Sequence, residues 1–147
     1  MHWNLNSYKS SNFYRKNLIE TFNIKMNYDV IAISESALHS DTDNNDLLIN
    51  GYILFRSDLP DERRCGGVLV YVKNSIACQE RNDLETITDQ LILELTVDKK
   101  SIFVSSNYSK HLHNDENELS LYMDNFRNSC QNIRAQNHFC TLHIGDF

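Results

Sequence analysis

Phe139-Cys140-Thr141-Leu142-His143-Ile144-Gly145-Asp146-Phe147 is an apolar run, broken by Thr141 and His143, that carries a Gly-Asp pair to the end of a predicted strand. Ligand and catalytic groups gather at the C-terminal ends of strands in layered α/β folds, so this stretch points to an architecture and to a place for chemistry. A second run, Tyr28 to Ser34, is short, apolar and rich in β-branched residues, as suits a strand buried on both faces. It also ends on an acid, Glu35. A folded domain rarely stops on the residue that most resembles its catalytic acid. Residues 1–147 are therefore expected to be a single incomplete domain, the front portion of a larger one.

Outward from these two runs, period-2 and period-3.6 patterns alternate. Met1 to Asn4 reads as a first strand. Phe13, Leu18, Ile19 and Phe22 recur at helical spacing behind Ser10, Ser11 or Asn12 as an N-cap. Residues 36–50 are rich in Asp and Asn and read as a loop with little regular structure. Strands are expected at Tyr52 to Phe55 and Val68 to Val72, flanking a charged connection, Ser57 to Arg64, that holds the one proline, Pro60. Leu91 to Val97 and Ser101 to Tyr108 form a hairpin through Asp98-Lys99-Lys100. Asn114 to Glu118 offers capping chemistry for a helix whose stripe of Leu119, Tyr122, Met123, Phe126, Cys130 and Ile133 is read as core packing. The order points to a sheet-rich α/β sandwich with helices outside.

An apolar fraction of 41% supports a real core. With 14 basic and 20 acidic side chains the net charge is −6, which argues against a protein that coats nucleic acid nonspecifically. A nuclease that holds metal with carboxylates remains open. The acidic clusters at Asp41, Asp43 and Asp46 and at Asp115, Glu116 and Glu118 read as solvated loops and helix starts. Cys65, Cys78, Cys130 and Cys140 have no C-x-x-C spacing and read as reduced thiols. His138, Cys140 and His143 lie close in sequence. On a strand, however, the first two share a face and His143 takes the other, which disfavours one ligand set. The N-terminus has no signal-peptide h-region, and no 18-residue apolar stretch occurs. The expectation is an intracellular protein, nuclear or cytoplasmic, with no membrane partner.

Five polar side chains fall at four strand ends. Glu35 stands at the lip of a core strand, where a carboxylate suits a hard, oxygen-loving cation such as Mg²⁺. Asp146 holds the equivalent place after Phe139 to Ile144. Asn4 and Asn6 flank the end of the first strand, and Tyr108 ends another. Their shared placement makes a candidate convergent site. Arg56, Arg63, Arg64 and Lys110 are read as surface charges within reach of phosphates.

Trp3-Asn4-Leu5-Asn6-Ser7, Ile31 to Ser36, Gly51-Tyr52 with Arg56-Ser57-Asp58, Gly66-Gly67-Val68, Asn107-Tyr108 and Gly145-Asp146-Phe147 resemble, in order, successive motifs of the endonuclease/exonuclease/phosphatase superfamily. The flavour is nearest to the apurinic-type endonuclease domain of non-LTR, LINE-like retrotransposons. The resemblance runs from residue 3 to 147. It implies a four-layer α/β sandwich, two sheets face to face with helices outside. It also implies a Mg²⁺-dependent DNA endonuclease, with Mn²⁺ as an alternative ion, that nicks target DNA for a linked reverse transcriptase. By position, Glu35 matches the metal-binding glutamate, Asn4 the asparagine beside the metal and Asn6 a further metal-proximal residue. Tyr108 matches the tyrosine on the scissile phosphate, and Asp146 the aspartate that positions or deprotonates water.

Departures accompany the match. Ser109-Lys110-His111 stands where the family continues toward proline, and the family's later Asn and terminal Asp-His pair have no counterpart in these residues. Two other readings stay open: another phosphodiesterase of the superfamily, acting on phospholipid, inositol phosphate or RNA ends, and a decayed or co-opted remnant without catalysis. The expected outcome for the 147 residues alone is no Mg²⁺-dependent nicking of supercoiled plasmid above a Glu35→Ala control. Nicking that this control abolishes overturns the reading of an incomplete domain.

Overall fold

The computed structural model describes residues 1–5, 17, 19–21, 26–60, 65–109 and 116–146, residue 146 through its backbone only. Eight strands lie in two four-stranded sheets. The first contains β1 (His2–Asn4), β2 (Val30–Ser34), β4 (Val68–Lys73) and β3 (Tyr52–Ser57), in that spatial order. The second contains β5 (Ala77–Glu80), β6 (Gln90–Val97), β7 (Lys100–Tyr108) and β8 (Cys140–Asp146). β1 runs parallel to β2 and β8 parallel to β7, and all other pairs are antiparallel. This is the α/β sandwich that the order of elements predicted.

Period-2 alternation explains how the sheets meet. Ala32, Val68, Val70 and Val72 of the first sheet face Leu91, Leu93, Leu95, Val104 and Tyr108 of the second, all buried. The alternate residues Ile31, Ile33, Leu69 and Tyr71 face outward and take a second cluster with Leu5, Ile19, Leu38, Leu47 and Ile49. β2 is therefore buried on both faces, as its apolar run required. On the outer face of the second sheet, Ile92 and Phe103 meet Leu84, from the short turn Asn82–Leu84 after β5, and Ile133 of the long helix Glu116–Arg134.

Several local expectations are modified. The polar stretch 36–50 contains a helical turn, Asn44–Leu47, whose N-cap Asp43 accepts from the Asn45 N–H at 2.9 Å. Its Leu38, Leu47 and Ile49 are buried, and Tyr71 Oη donates to the Leu47 carbonyl at 2.8 Å. Three apolar anchors among many Asp and Asn were enough to dock this segment. β5 carried no alternation to reveal it. It is held as a hairpin on β6, and Arg81 just beyond it bridges Asp83 (2.8 Å) and Glu94 (2.6 Å). The helix stripe read as core is buried only in part. Ile133 is buried and Phe126 and Cys130 lie against His143, but Leu119 and Met123 are 42% and 48% exposed. The helix docks most closely through its C-terminal half, where Ser129 and Ile133 are buried. Of the first predicted helix, residues 17 and 19–21 are helical and Ile19 is fully buried. Phe13, Leu18, Phe22 and the proposed caps Ser10, Ser11, Asn12, Asn114 and Asp115 lie outside the described residues.

Gly145 sits across from Asn107 in the parallel β7–β8 register. A Cβ on it would lie 1.9 Å from the Asn107 carbonyl oxygen, so only glycine lets these backbones approach. Gly145→Ala is expected to destabilise the fold by more than about 2 kcal/mol, since backbone rather than a flexible side chain must yield. A urea unfolding midpoint unchanged from the parent disproves this contact.

Candidate active site

The C-terminal ends of β1, β2, β3, β7 and β8 converge on one end of the sandwich. Strand register sets this: Ser34 pairs with Asn4 on one side and with Val68 on the other, and Val68 pairs in turn with Ser57. In the second sheet Asn107 pairs with Gln90 and Tyr108 with Asp146. Ser57 Oγ donates to the Thr88 carbonyl at 3.2 Å, a link between the two sheets at this end.

Two of the candidate side chains meet there. Tyr108 is 2% exposed, and its phenol lies beside the Glu35 carboxylate and the Cys65 thiol. Burial first, then the neighbouring charges of Glu35 and Cys65, push its pKa well above the ordinary tyrosine value. The phenol therefore stays protonated and available as a donor. Glu35 is half-buried and has φ = +54°, the left-handed region that a side-chain-bearing residue adopts at a cost of ~1–3 kcal/mol. Ala37 is also left-handed, at φ = +50°. Opposite them the Ser36 N–H donates to the Gly67 carbonyl (3.2 Å) and the Ala37 N–H to the Gly66 carbonyl (3.0 Å). Gly67, at φ = +76°, leaves 2.7 Å between an imagined Cβ and Ser36 Oγ. The glycine pair thus lets two strand ends touch and holds Glu35 in place.

Asn4 is exposed at the end of β1, beside Ser34 and one residue from Glu35. Residue 146 lies opposite Tyr108, placed by backbone register. Asn6, Arg63, Arg64, Lys110 and His111 lie outside the described residues. Arg56 is not a solvated surface charge: it is 16% exposed and ion-paired with Asp58 at 3.2 Å. Burial raises the Asp58 pKa, opposed by Arg56 and His39 and assisted by Asp41. His138 packs edge-on against Phe103 at 5.3 Å, whereas His143 packs against Phe126 at 5.4 Å and Cys130 at 3.8 Å. These histidines are held by different neighbours.

Sequence reading missed Cys65 as a site residue. Its signal was its place directly before Gly66-Gly67, the pair that must fold back onto the Glu35 loop. It missed Gln90 as well. Gln90 Nε2 donates to Asn107 Oδ1 (2.8 Å) and Ser129 Oγ (3.0 Å), and its Oε1 accepts from the Thr86 N–H (3.0 Å). All of Gln90, Asn107 and Ser129 are fully buried, so this network clamps the residue before Tyr108 to the long helix.

The donor chemistry fits a hard cation: Glu35 offers a carboxylate and Asn4 an amide oxygen, at a strand end where the backbone is strained to present the acid.

Scanned against protein families and against curated proteins, the sequence matches none. Solved structures do match. An AP endonuclease from Leishmania major, LMAP, superposes with a TM-score of 0.73 at 17% identity, covering 99% of this chain and 53% of that one. The endonuclease domain of TRAS1, a telomere-specific non-LTR retrotransposon, gives 0.66 at 12% identity, covering 99% and 56%. TDP2 of D. rerio in complex with a single-stranded DNA product gives 0.64 at 16% identity, covering 99% and 58%. The chain has the endonuclease/exonuclease/phosphatase fold and spans a little over half the length of these relatives.

Thiol labelling tests the site geometry. Cys65 is exposed, whereas Cys78 and Cys130 are half-buried with thiol pKa values raised by burial. The thiolate is the reactive form, so at mildly alkaline pH iodoacetamide should modify Cys65 before either of them. Peptide mass mapping that finds Cys130 or Cys78 labelled first contradicts the arrangement.

Proposed function

We propose that this fold carries out metal-dependent hydrolysis of phosphodiester bonds in DNA at the Glu35–Tyr108 end of the sandwich, with Mg²⁺ or Mn²⁺ as the ion. The observation that carries this reading is the meeting of Glu35, in a left-handed conformation, with the buried Tyr108 phenol at strand ends shared by Asn4 and residue 146. The resemblance of the DNA-processing relatives supports DNA as substrate. The motif order and the TRAS1 likeness support the finer reading, a nick at a target site that serves a linked reverse transcriptase.

In this reading Glu35 and Asn4, with Asn6, hold the cation, which when bound neutralises charge on the phosphate and on the leaving oxygen. The Tyr108 hydroxyl, kept protonated by burial and by Glu35, turns its hydrogen from the carboxylate to a phosphate oxygen. Asp146 orients the attacking water and accepts its proton. The contact with Glu35 holds the phenol in position before substrate arrives, which lowers the cost of ordering it.

Two measurements test this. Mn²⁺ binding by the 147-residue chain, followed by water-proton relaxation, should be lost in Glu35→Ala. In the full-length product of the reading frame, plasmid nicking should fall by ~10²–10³-fold in Tyr108→Phe and by ~10²–10⁴-fold in Asp146→Ala. Mn²⁺ relaxation that is the same in Glu35→Ala and the parent chain sinks the metal assignment.

A further inference from the structure

The opposite end of β7 carries a different chemistry. Seven basic side chains belong to described residues, and four of them (Arg56, Lys73, Arg81 and Arg127) are ion-paired with carboxylates. Lys99 and Lys100, at the β6–β7 turn, are not ion-paired with any described residue. They border an open cleft of about 330 Å³ lined with Ser101, Asn137, His138 and Phe139. Phe139 is 64% exposed, and Lys100 Nζ lies 4.2 Å from its ring centroid. The lysine covers part of the ring, and the rest of it is open to a stacking partner.

Other polar groups near the cleft are accounted for. Ser101 Oγ donates to Glu94 at 2.7 Å. The His138 ring nitrogens lie 2.8 Å from the Gln136 carbonyl and 3.0 Å from Thr141 Oγ1. Asp98 shares the turn but forms no ion pair with either lysine. The side chain of Asn137 is exposed at the rim, where an amide can both donate and accept.

We propose that this cleft binds single-stranded nucleic acid. A base stacks on the open part of Phe139, adjoining phosphates contact Lys99 and Lys100, and the Asn137 amide meets the base edge. Two ammonium groups beside one exposed ring match the minimal unit of such a site, an aromatic platform with a cationic flank. The site is separate from the Glu35–Tyr108 end by the length of β7, ~27 Å at the usual strand rise. It needs no catalysis, so its test is independent of the proposed hydrolysis.

The test is fluorescence anisotropy of a labelled oligothymidine on the full chain without divalent cation, at several salt concentrations. Phe139→Ala should weaken binding ~10-fold, while Phe139→Trp, which keeps a stacking ring, should bind at least as well as the parent. Lys99→Ala with Lys100→Ala should lower the slope of log affinity against log salt by ~1.4, the share of two phosphates on a single strand. Thermal unfolding checks each variant. If Phe139→Ala does not fold, the tryptophan and lysine variants decide. The site is overturned if an aromatic-free variant binds like the parent, if Phe139→Trp loses binding, or if the lysine pair leaves the slope unchanged. Equal binding of the complementary duplex, displaced by pyrophosphate, also overturns it, because it indicates charge attraction without base stacking.

Discussion

Tyr108 reaches from the second sheet to Glu35 at the end of the first, and the organisation of the candidate site follows from that contact. Its two partners come from different layers, so it forms only if the sheets face each other in one register. That register is imposed by the nine-residue cluster that joins them, from Ala32 to Tyr108. Each buried Val or Leu contributes about 1.5–3 kcal/mol. Against that sum, the ~1–3 kcal/mol of strain at each of Glu35 and Ala37 is small. The core therefore over-determines the loop and can hold an acid in a conformation it would not choose alone.

A second constraint acts from the outer side of the same strand. Gln90, Ser105, Asn107 and Ser129 form a fully buried polar network beneath the long helix. Every donor left without a partner there would cost far more than in water, so the network favours a single position for Asn107. The Asn107 carbonyl in turn touches Gly145, which fixes where β8 presents residue 146. Tyr108 is thus held between an apolar inner face and a polar outer one, and neither leaves the strand end room to slide.

Much of this was legible in the sequence, and the exceptions share a cause. β2, β4, β6 and β7 were readable because burial on two faces, or strict alternation on one, leaves a dense apolar signature. Glu35, Asn4, Tyr108 and Asp146 were readable as strand-end residues for the same reason. β5 was not, because an exposed strand of Ala-Cys-Gln-Glu has no face to record. Leu119 and Met123 were misjudged because periodicity shows which residues share a stripe and not which of them the packing covers. Cys65 and Gln90 were missed because their roles arise from contacts between segments distant in sequence, Cys65 with Tyr108 and Gln90 with Ser129.

Apart from single residues such as Asn27, left-handed backbone gathers at two places among the described residues, with different meanings. Asp98 and Lys99, at φ = +49° and +62°, are the two central residues of the β6–β7 hairpin. A tight hairpin with the native strand twist requires that geometry, so the strain there is explained by the turn. Glu35 and Ala37 sit in no such turn; the loop they belong to meets Gly66 and Gly67, also at positive φ, through hydrogen bonds donated by the Ser36 and Ala37 N–H groups. Glycine relieves the strain on one side of this contact, and nothing relieves it on the other. An acid kept in a costly conformation against a glycine pair is what results when side-chain placement outweighs backbone preference. Four residues with positive φ therefore meet where β2 ends and β4 begins, and Glu35 is the one among them that carries an ionisable side chain.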